Sequence, residues 1–273
     1  MLAIGVEALL VGTPLIPLPL SWGPLPVVAG SLAATLLLTA LSLGLIVNGA
    51  RLRLGAGHEL GLLALSGGLW FALMHLAMRG HLARLLLSPT ATVLFLLTCL
   101  WLGRLLSRLF RERSILLPVC AAAALVDIFT VYAGPTGHML EVNPKLVERL
   151  SVAIPQIGSA AGQAGLAGLT IASFIGLGDF IFLAAFFGAA ARFGFNLRRT
   201  AWVVLAIVAV GMTAQWLLPA VAKIPLLPFI GVGFVAANWR EFQLNAEERK
   251  AVALGALIIA GVVLAVWALV KLF

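Results

Sequence analysis

Stretches of about 20 apolar residues, repeated along its length, leave this chain few ways to fold. Runs at about 25–48, 58–78, 85–103, 114–134, 166–191, 200–221, 223–238 and 250–272 each approach the length that crosses a bilayer. An apolar stretch at 1–22, broken by Pro14, Pro17 and Pro19, precedes them and reads as an interrupted first span. Its one charge is Glu7, so it lacks the positive start of a signal peptide. Inside lipid every backbone polar group must find a partner within the protein, which forces such segments into helices. Only 10% of the 273 residues are charged, against about 25% in a soluble domain. The chain is therefore read as an all-α polytopic membrane protein with about nine transmembrane helices. It divides into four spans over 1–113, a core over 114–240 and a last helix over 241–273.

A net charge of +8 raises the question of nucleic acid, but the basic residues form short clusters between apolar runs rather than a stripe with interleaved aromatics. A nucleic-acid partner is not expected; the lipid bilayer is. Twelve basic residues fall on one set of alternate connections: Arg51, Arg53, Arg104, Arg108, Arg111, Arg113, Arg192, Arg198, Arg199, Arg240, Arg249 and Lys250. The other set holds six, namely Arg79, Arg84, Lys145, Arg149, Lys223 and Lys271. The positive-inside rule puts residues 104–113 in the cytoplasm and the 135–165 connection on the far side. Cys99 and Cys120 lie inside apolar runs without metal-ligand spacing, and His58, His75, His81 and His138 form no H-E-x-x-H pattern. No metal or other cofactor is implied.

The chain has two aspartates, and both sit within apolar runs. Asp127 lies in Ala121-Ala-Ala-Ala-Leu-Val-Asp-Ile-Phe-Thr-Val-Tyr132 and Asp179 in Phe174-Ile-Gly-Leu-Gly-Asp-Phe-Ile-Phe182. A carboxylate at such depth costs roughly 2.5–3.5 kcal/mol on insertion scales, which makes an intramembrane acid a functional candidate by default. The plainer reading is that each caps a kink or bonds a neighbouring helix. Counting residues from the span ends puts Asp127 about 20 Å and Asp179 about 18 Å into a core about 30 Å thick. Consecutive antiparallel spans would then bring the carboxyl groups face to face, where the two share a proton. One could act as base toward water while the other polarises a carbonyl, as in aspartic proteases.

Gly176 and Gly178 precede Asp179, and glycine lets another backbone approach closely. Alone, G-x-G-D is weak, since small residues three or four apart in membrane helices usually pack against other helices. The third feature is Ile224-Pro-Leu-Leu-Pro-Phe229. Two prolines three apart disturb a regular helix, and irregular backbone at membrane depth must be buried in protein or line a wet cavity. A proline-rich start to a span beside Lys223 is the equal alternative.

In this order the three features resemble the presenilin and signal peptide peptidase family of intramembrane aspartyl proteases. Val126-Asp127, followed by Ile-Phe-Thr-Val-Tyr132 and then His138-Met139, is similar to the first motif of prokaryotic members. The Gly-x-Gly-Asp motif is intact as Gly176-Leu177-Gly178-Asp179, and Pro225-Leu226-Leu227, with Pro228 behind it, stands where the family has Pro-Ala-Leu. The likeness covers about 115–238. It departs at Val126, where the family has tyrosine, and at Leu226, where it has alanine. The aspartates also fall on the fifth and sixth spans rather than the sixth and seventh.

The resemblance implies a presenilin-like bundle in which Asp127 and Asp179 are catalytic. Gly176, Leu177, Gly178, Pro225, Leu226, Leu227, Pro228 and Tyr132 would support the site and the substrate. It implies no cofactor, a prokaryotic plasma membrane, and substrates that are transmembrane segments of membrane proteins or signal peptides. The orientation is that of signal peptide peptidase. An unwound substrate strand needs protein edges to bond, and residues near Gly134–Met139, before Gly176 and around Pro225 are expected to supply them.

Three other readings compete. In an ion- or proton-coupled transporter intramembrane acids relay ions, though no internal repeat joins the two halves. A prepilin peptidase also uses Gly-x-Gly-Asp but leaves the Pro-Leu-Leu element unexplained. The last is a catalytically silent scaffold of the same fold.

Overall fold

The computed structural model describes residues 5–6, 24–77, 81–132, 151–153, 174–217 and 225–242, with a few isolated positions between 247 and 261. Among these are seven α-helices: α1 (Pro24–Ala50), α2 (Ala56–Ala77), α3 (His81–Ser107), α4 (Leu116–Tyr132), α5 (Leu177–Phe193), α6 (Leu197–Leu217) and α7 (Leu227–Asn238). A 3₁₀ turn, Trp239–Glu241, follows α7, and two short strands, β1 (Ser151–Ala153) and β2 (Phe174–Gly176), precede α5. Among the described residues four segments are long and apolar enough to cross a membrane: Leu32–Ala50, Ala56–Leu76, Pro89–Ser107 and Leu197–Ala214. The protein is thus a helical, multi-span membrane protein.

The expected nine spans are not reached by the seven described helices. The stretches at 1–22 and 250–272 fall almost wholly outside the described residues. Two other expectations change for physical reasons. The sixth span does not run as a helix from about 166, because residues Phe174–Gly176 are extended and the helix starts at Leu177. The 223–238 run yields a helix of only 12 residues, because Pro225 and Pro228 delay its start. Pro89 lies inside α3, which reaches back to His81.

The chain divides into two compact units. The first comprises Met1–Leu105 and Glu148–Ala184, the second Leu106–Val147 and Ala185–Phe273. In the first unit α1 and α3 meet closely, since a Cβ at Gly49 would run into the Leu100 side chain. Small residues at such crossings let membrane helices approach. Between α2 and α3, Thr98 Oγ1 lies 3.2 Å from Ser66 Oγ, and Trp70 is tilted against Phe95 at 5.6 Å. Phe95 also meets Phe180 of α5 edge-on at 6.3 Å. The spanning part of α2 is only 11% buried and turns Leu60, Leu65, Leu69 and Phe71 outward, as a lipid-facing helix does.

The second unit is built on α7. A Cβ at Gly233 would stand 2.9 Å from the Val204 Cα of α6, and one at Gly231 would stand 3.5 Å from the Cys120 carbonyl of α4. Phe234 is fully buried and stacks on Phe186 at 5.3 Å. Asn238, also fully buried, donates to the Phe234 carbonyl and accepts from Thr200 Oγ1 at 3.1 Å. Helix α5 ends at Gly194, whose φ of 76° needs glycine, with the Phe195 N–H returning to the Ala190 carbonyl. Asn196 then caps α6 by accepting the Arg199 N–H at 3.0 Å.

Candidate active site

Asp127 belongs to the second unit. It lies 11 residues beyond Leu116, the start of α4, which is about 17 Å along the helix axis. The side chain is half-buried, between the exposed Val126 and Ile128. Asp127 Oδ2 accepts the backbone N–H of Leu227 at 3.0 Å. Leu227 is the first residue of α7, and that helix start has no side-chain cap of its own.

The local chemistry explains why. The first N–H groups of any helix lack intrahelical partners. Pro225 and Pro228 have no N–H at all, so Leu226 and Leu227 carry the only backbone donors of this four-residue stretch. Phe229 and Ile230 already donate to the Leu226 carbonyl. A carboxylate placed against the start of α7 satisfies an orphan donor and sits at the positive end of the helix dipole. Asp127 therefore caps a helix that begins 100 residues later in the chain.

Pro228 occupies the first turn of a helix, where proline is tolerated. Yet α7 is about 18 Å long, well short of a core about 30 Å thick. Trp239 and Arg240 are exposed at its far end. Pro225 and Leu227 are buried.

Asp179 belongs to the first unit and is half-buried. It is the third residue of α5, not a mid-helix residue as the counted span implied. Measured from the other end, it lies 14 residues before Phe193, about 21 Å along the helix. Its Oδ2 accepts the backbone N–H of Gly176 at 3.0 Å, the reach-back half of a capping box. Gly176 closes β2, which pairs antiparallel with β1 in the register Ser151↔Gly176, Val152↔Ile175 and Ala153↔Phe174. The strand expected before Gly176 is present.

Among the described residues, Pro225 and Leu226 are not in a strand, and the backbone passes from them directly into α7. Gly134–Met139 lies outside the described residues. Space beside the Gly-x-Gly-Asp glycines is open. A Cβ at Gly178 would meet nothing within 4 Å, and one at Gly176 would make an ordinary 3.5 Å contact with Asp179 Oδ2. Neither glycine is demanded by packing among the described residues. Leu177 separates them as the first residue of α5, and Tyr132 is the last residue of α4. Leu226 precedes α7 as its N-cap, with its backbone in the right-handed helical region.

One polar cluster was missed at the sequence level. Arg104, counted among cytoplasmic loop charges, is buried, and so is Glu59. The guanidinium donates to Glu59 Oε1 from Nε at 2.9 Å and from an Nη at 2.5 Å, and to the Gly49 and Leu52 carbonyls. It ties the end of α1, the first turn of α2 and the last turn of α3 together within the first unit. The signal available was one acid in the first turn of α2 and one arginine in the last turn of α3, each at its favourable dipole end. Among the described residues no cluster of three or more His, Cys, Asp or Glu side chains could hold a metal ion.

No family model, no curated protein and no solved structure matches this chain. The functional reading accordingly rests on its own residues and on the motifs they form.

Proposed function

We propose that this protein is an intramembrane aspartyl protease, hydrolysing peptide bonds within transmembrane segments of membrane proteins or signal peptides. In this reading Asp127 and Asp179 form a dyad around one water and share one proton. The ionised carboxyl takes a proton from water as its oxygen attacks the scissile carbonyl carbon, while the protonated one gives its proton to the carbonyl oxygen. The gem-diol collapses, the C–N bond breaks, and the departing amine takes up a proton. A new carboxyl terminus and a new amino terminus result, and one proton remains on the dyad. The observation that carries the proposal is that each carboxylate is fixed by a backbone N–H at a helix start, Asp127 about 17 Å along α4 from Leu116 and Asp179 about 21 Å along α5 from Phe193. Such anchoring preorganises a reacting group. The pairing of β1 with β2 directly before Asp179, and the open space at Gly178, support an extended substrate strand there.

The same two hydrogen bonds favour a second reading, a silent scaffold in which the aspartates only cap helices. Asparagine separates the two, because its carbonyl keeps the acceptor but cannot exchange a proton. Purified Asp127→Asn and Asp179→Asn variants, assayed on single-span substrates, are expected to lose about 10²–10⁴-fold in cleavage while remaining folded. Wild-type rates in either variant would overturn the protease reading. Proteoliposome ion flux that depends on the aspartates, without cleavage, would favour a transporter.

A further inference from the structure

We infer that the arginine-rich end of the second unit is a binding site for the headgroups of anionic phospholipids. Three segments meet there: Ser107–Ser114 between α3 and α4, Arg192–Asn196 between α5 and α6, and Trp239–Phe242 after α7. Two arginines fasten them. Arg192 donates to the Ser107 carbonyl, and Arg113 donates to the Phe193 carbonyl at 3.0 Å. Arg113 also lies over the Phe195 ring at 5.7 Å and 3.9 Å from Glu241, while Phe195 meets Phe242 edge-on at 5.8 Å. The collar is held by these contacts and needs no ligand to form.

Four further arginines project from this collar. Arg111, Arg198, Arg199 and Arg240 are all exposed, and among the described residues their guanidinium groups have no ion-pair partner. Across the three segments and the start of α6, seven arginines face two glutamates, Glu112 and Glu241, and Glu241 is the one near Arg113. The helix dipoles add to the imbalance. Helices α4 and α6 both begin at this end, and neither has an acidic residue in its first turn. Arg198 and Arg199 stand in the first turn of α6, against the dipole preference. A neighbouring anion relieves both effects.

The setting selects a lipid over a soluble anion. One candidate span ends at Ser107 and another begins at Leu197, and Leu109, Trp202 and Trp239 are 71%, 64% and 68% exposed beside the arginines. Exposed tryptophan at a span end is the signature of the headgroup layer. Guanidinium forks match phosphate oxygens bidentately, and the apolar side chains suit the adjoining acyl region. The site does not depend on whether Asp127 or Asp179 hydrolyses anything.

Full-length protein stripped of lipid in detergent is to be offered dioleoylphosphatidylglycerol or dioleoylphosphatidylcholine at equal concentration, and adducts counted by native mass spectrometry. Wild type is expected to prefer phosphatidylglycerol at least tenfold, and each arginine is worth roughly fivefold by the usual strength of surface charge. The combined R111Q, R198Q, R199Q and R240Q variant should lose the preference, with R111Q and R240Q singly deciding if it fails to fold. Excess inorganic phosphate should leave the adducts in place. Equal binding of the two lipids by wild type, an undiminished preference in the folded variants, or displacement by phosphate would each overturn the inference.

Discussion

Asp127 and Asp179 accept a backbone N–H in the same way and at the same 3.0 Å distance, yet the donors stand in very different places. For Asp179 the donor is Gly176, three residues earlier, and the bond follows from local geometry at the start of α5. For Asp127 the donor is Leu227, 100 residues later, and the bond exists only because α4 and α7 pack together. One is a capping box, readable from four consecutive residues. The other is a cap supplied across the fold, where the proline-flanked α7 has none of its own. The lesson is that a buried acid can serve the same helix-capping need by a short route or a long one. The long route couples the acid to the packing of its whole unit.

That coupling sets the expected ranking of effects. The largest stability loss belongs to Asp127→Ala, which strands the Leu227 N–H and should cost about 1–3 kcal/mol by thermal unfolding in detergent, with Asp127→Asn recovering most of it. Equal losses in the alanine and asparagine variants would break the comparison, because the hydrogen bond would then not matter. Asp179→Ala removes a local cap whose donor borders a short strand. A smaller loss of about 1 kcal/mol is expected in the same measurement. If it exceeds that of Asp127→Ala, the local bond is the stronger anchor. Gly178→Ala should do least to the fold, with unchanged stability or a gain of up to about 1 kcal/mol, since nothing lies within 4 Å of the added carbon. A cleavage rate that nevertheless falls would mark that open space as substrate territory. A rate that holds would show the glycine to be dispensable there.

How much of this was legible follows from the reach of each interaction. The helices at 25–48, 58–78, 114–134 and 200–221 were readable to within a few residues, because apolar length is a property of the run itself. The start of α5 was misread by about ten residues, since the apolar character of 166–173 hides the change to extended backbone at Phe174–Gly176. The Gly-x-Gly-Asp cluster was found from sequence, but its open flank was not, because empty space is made by what the rest of the unit leaves unfilled. Arg104 looked like one more loop charge. Its burial with Glu59 depends on three helix ends converging, which no single run encodes.

By itself the sequence determined the apolar, helical character of this protein, the rough limits of several long helices, and the two acids worth watching. Those follow from composition and from the free energy of placing charge in lipid, which act residue by residue. Tertiary structure alone decided that Asp127 caps α7, that α7 starts at Leu227 with no side-chain cap of its own, and that Gly233 brings α7 against the backbone of α6. Each of these needs two distant segments at a fixed separation. A hydrogen bond or a backbone approach fails over an ångström, a precision that hydrophobic pattern does not carry.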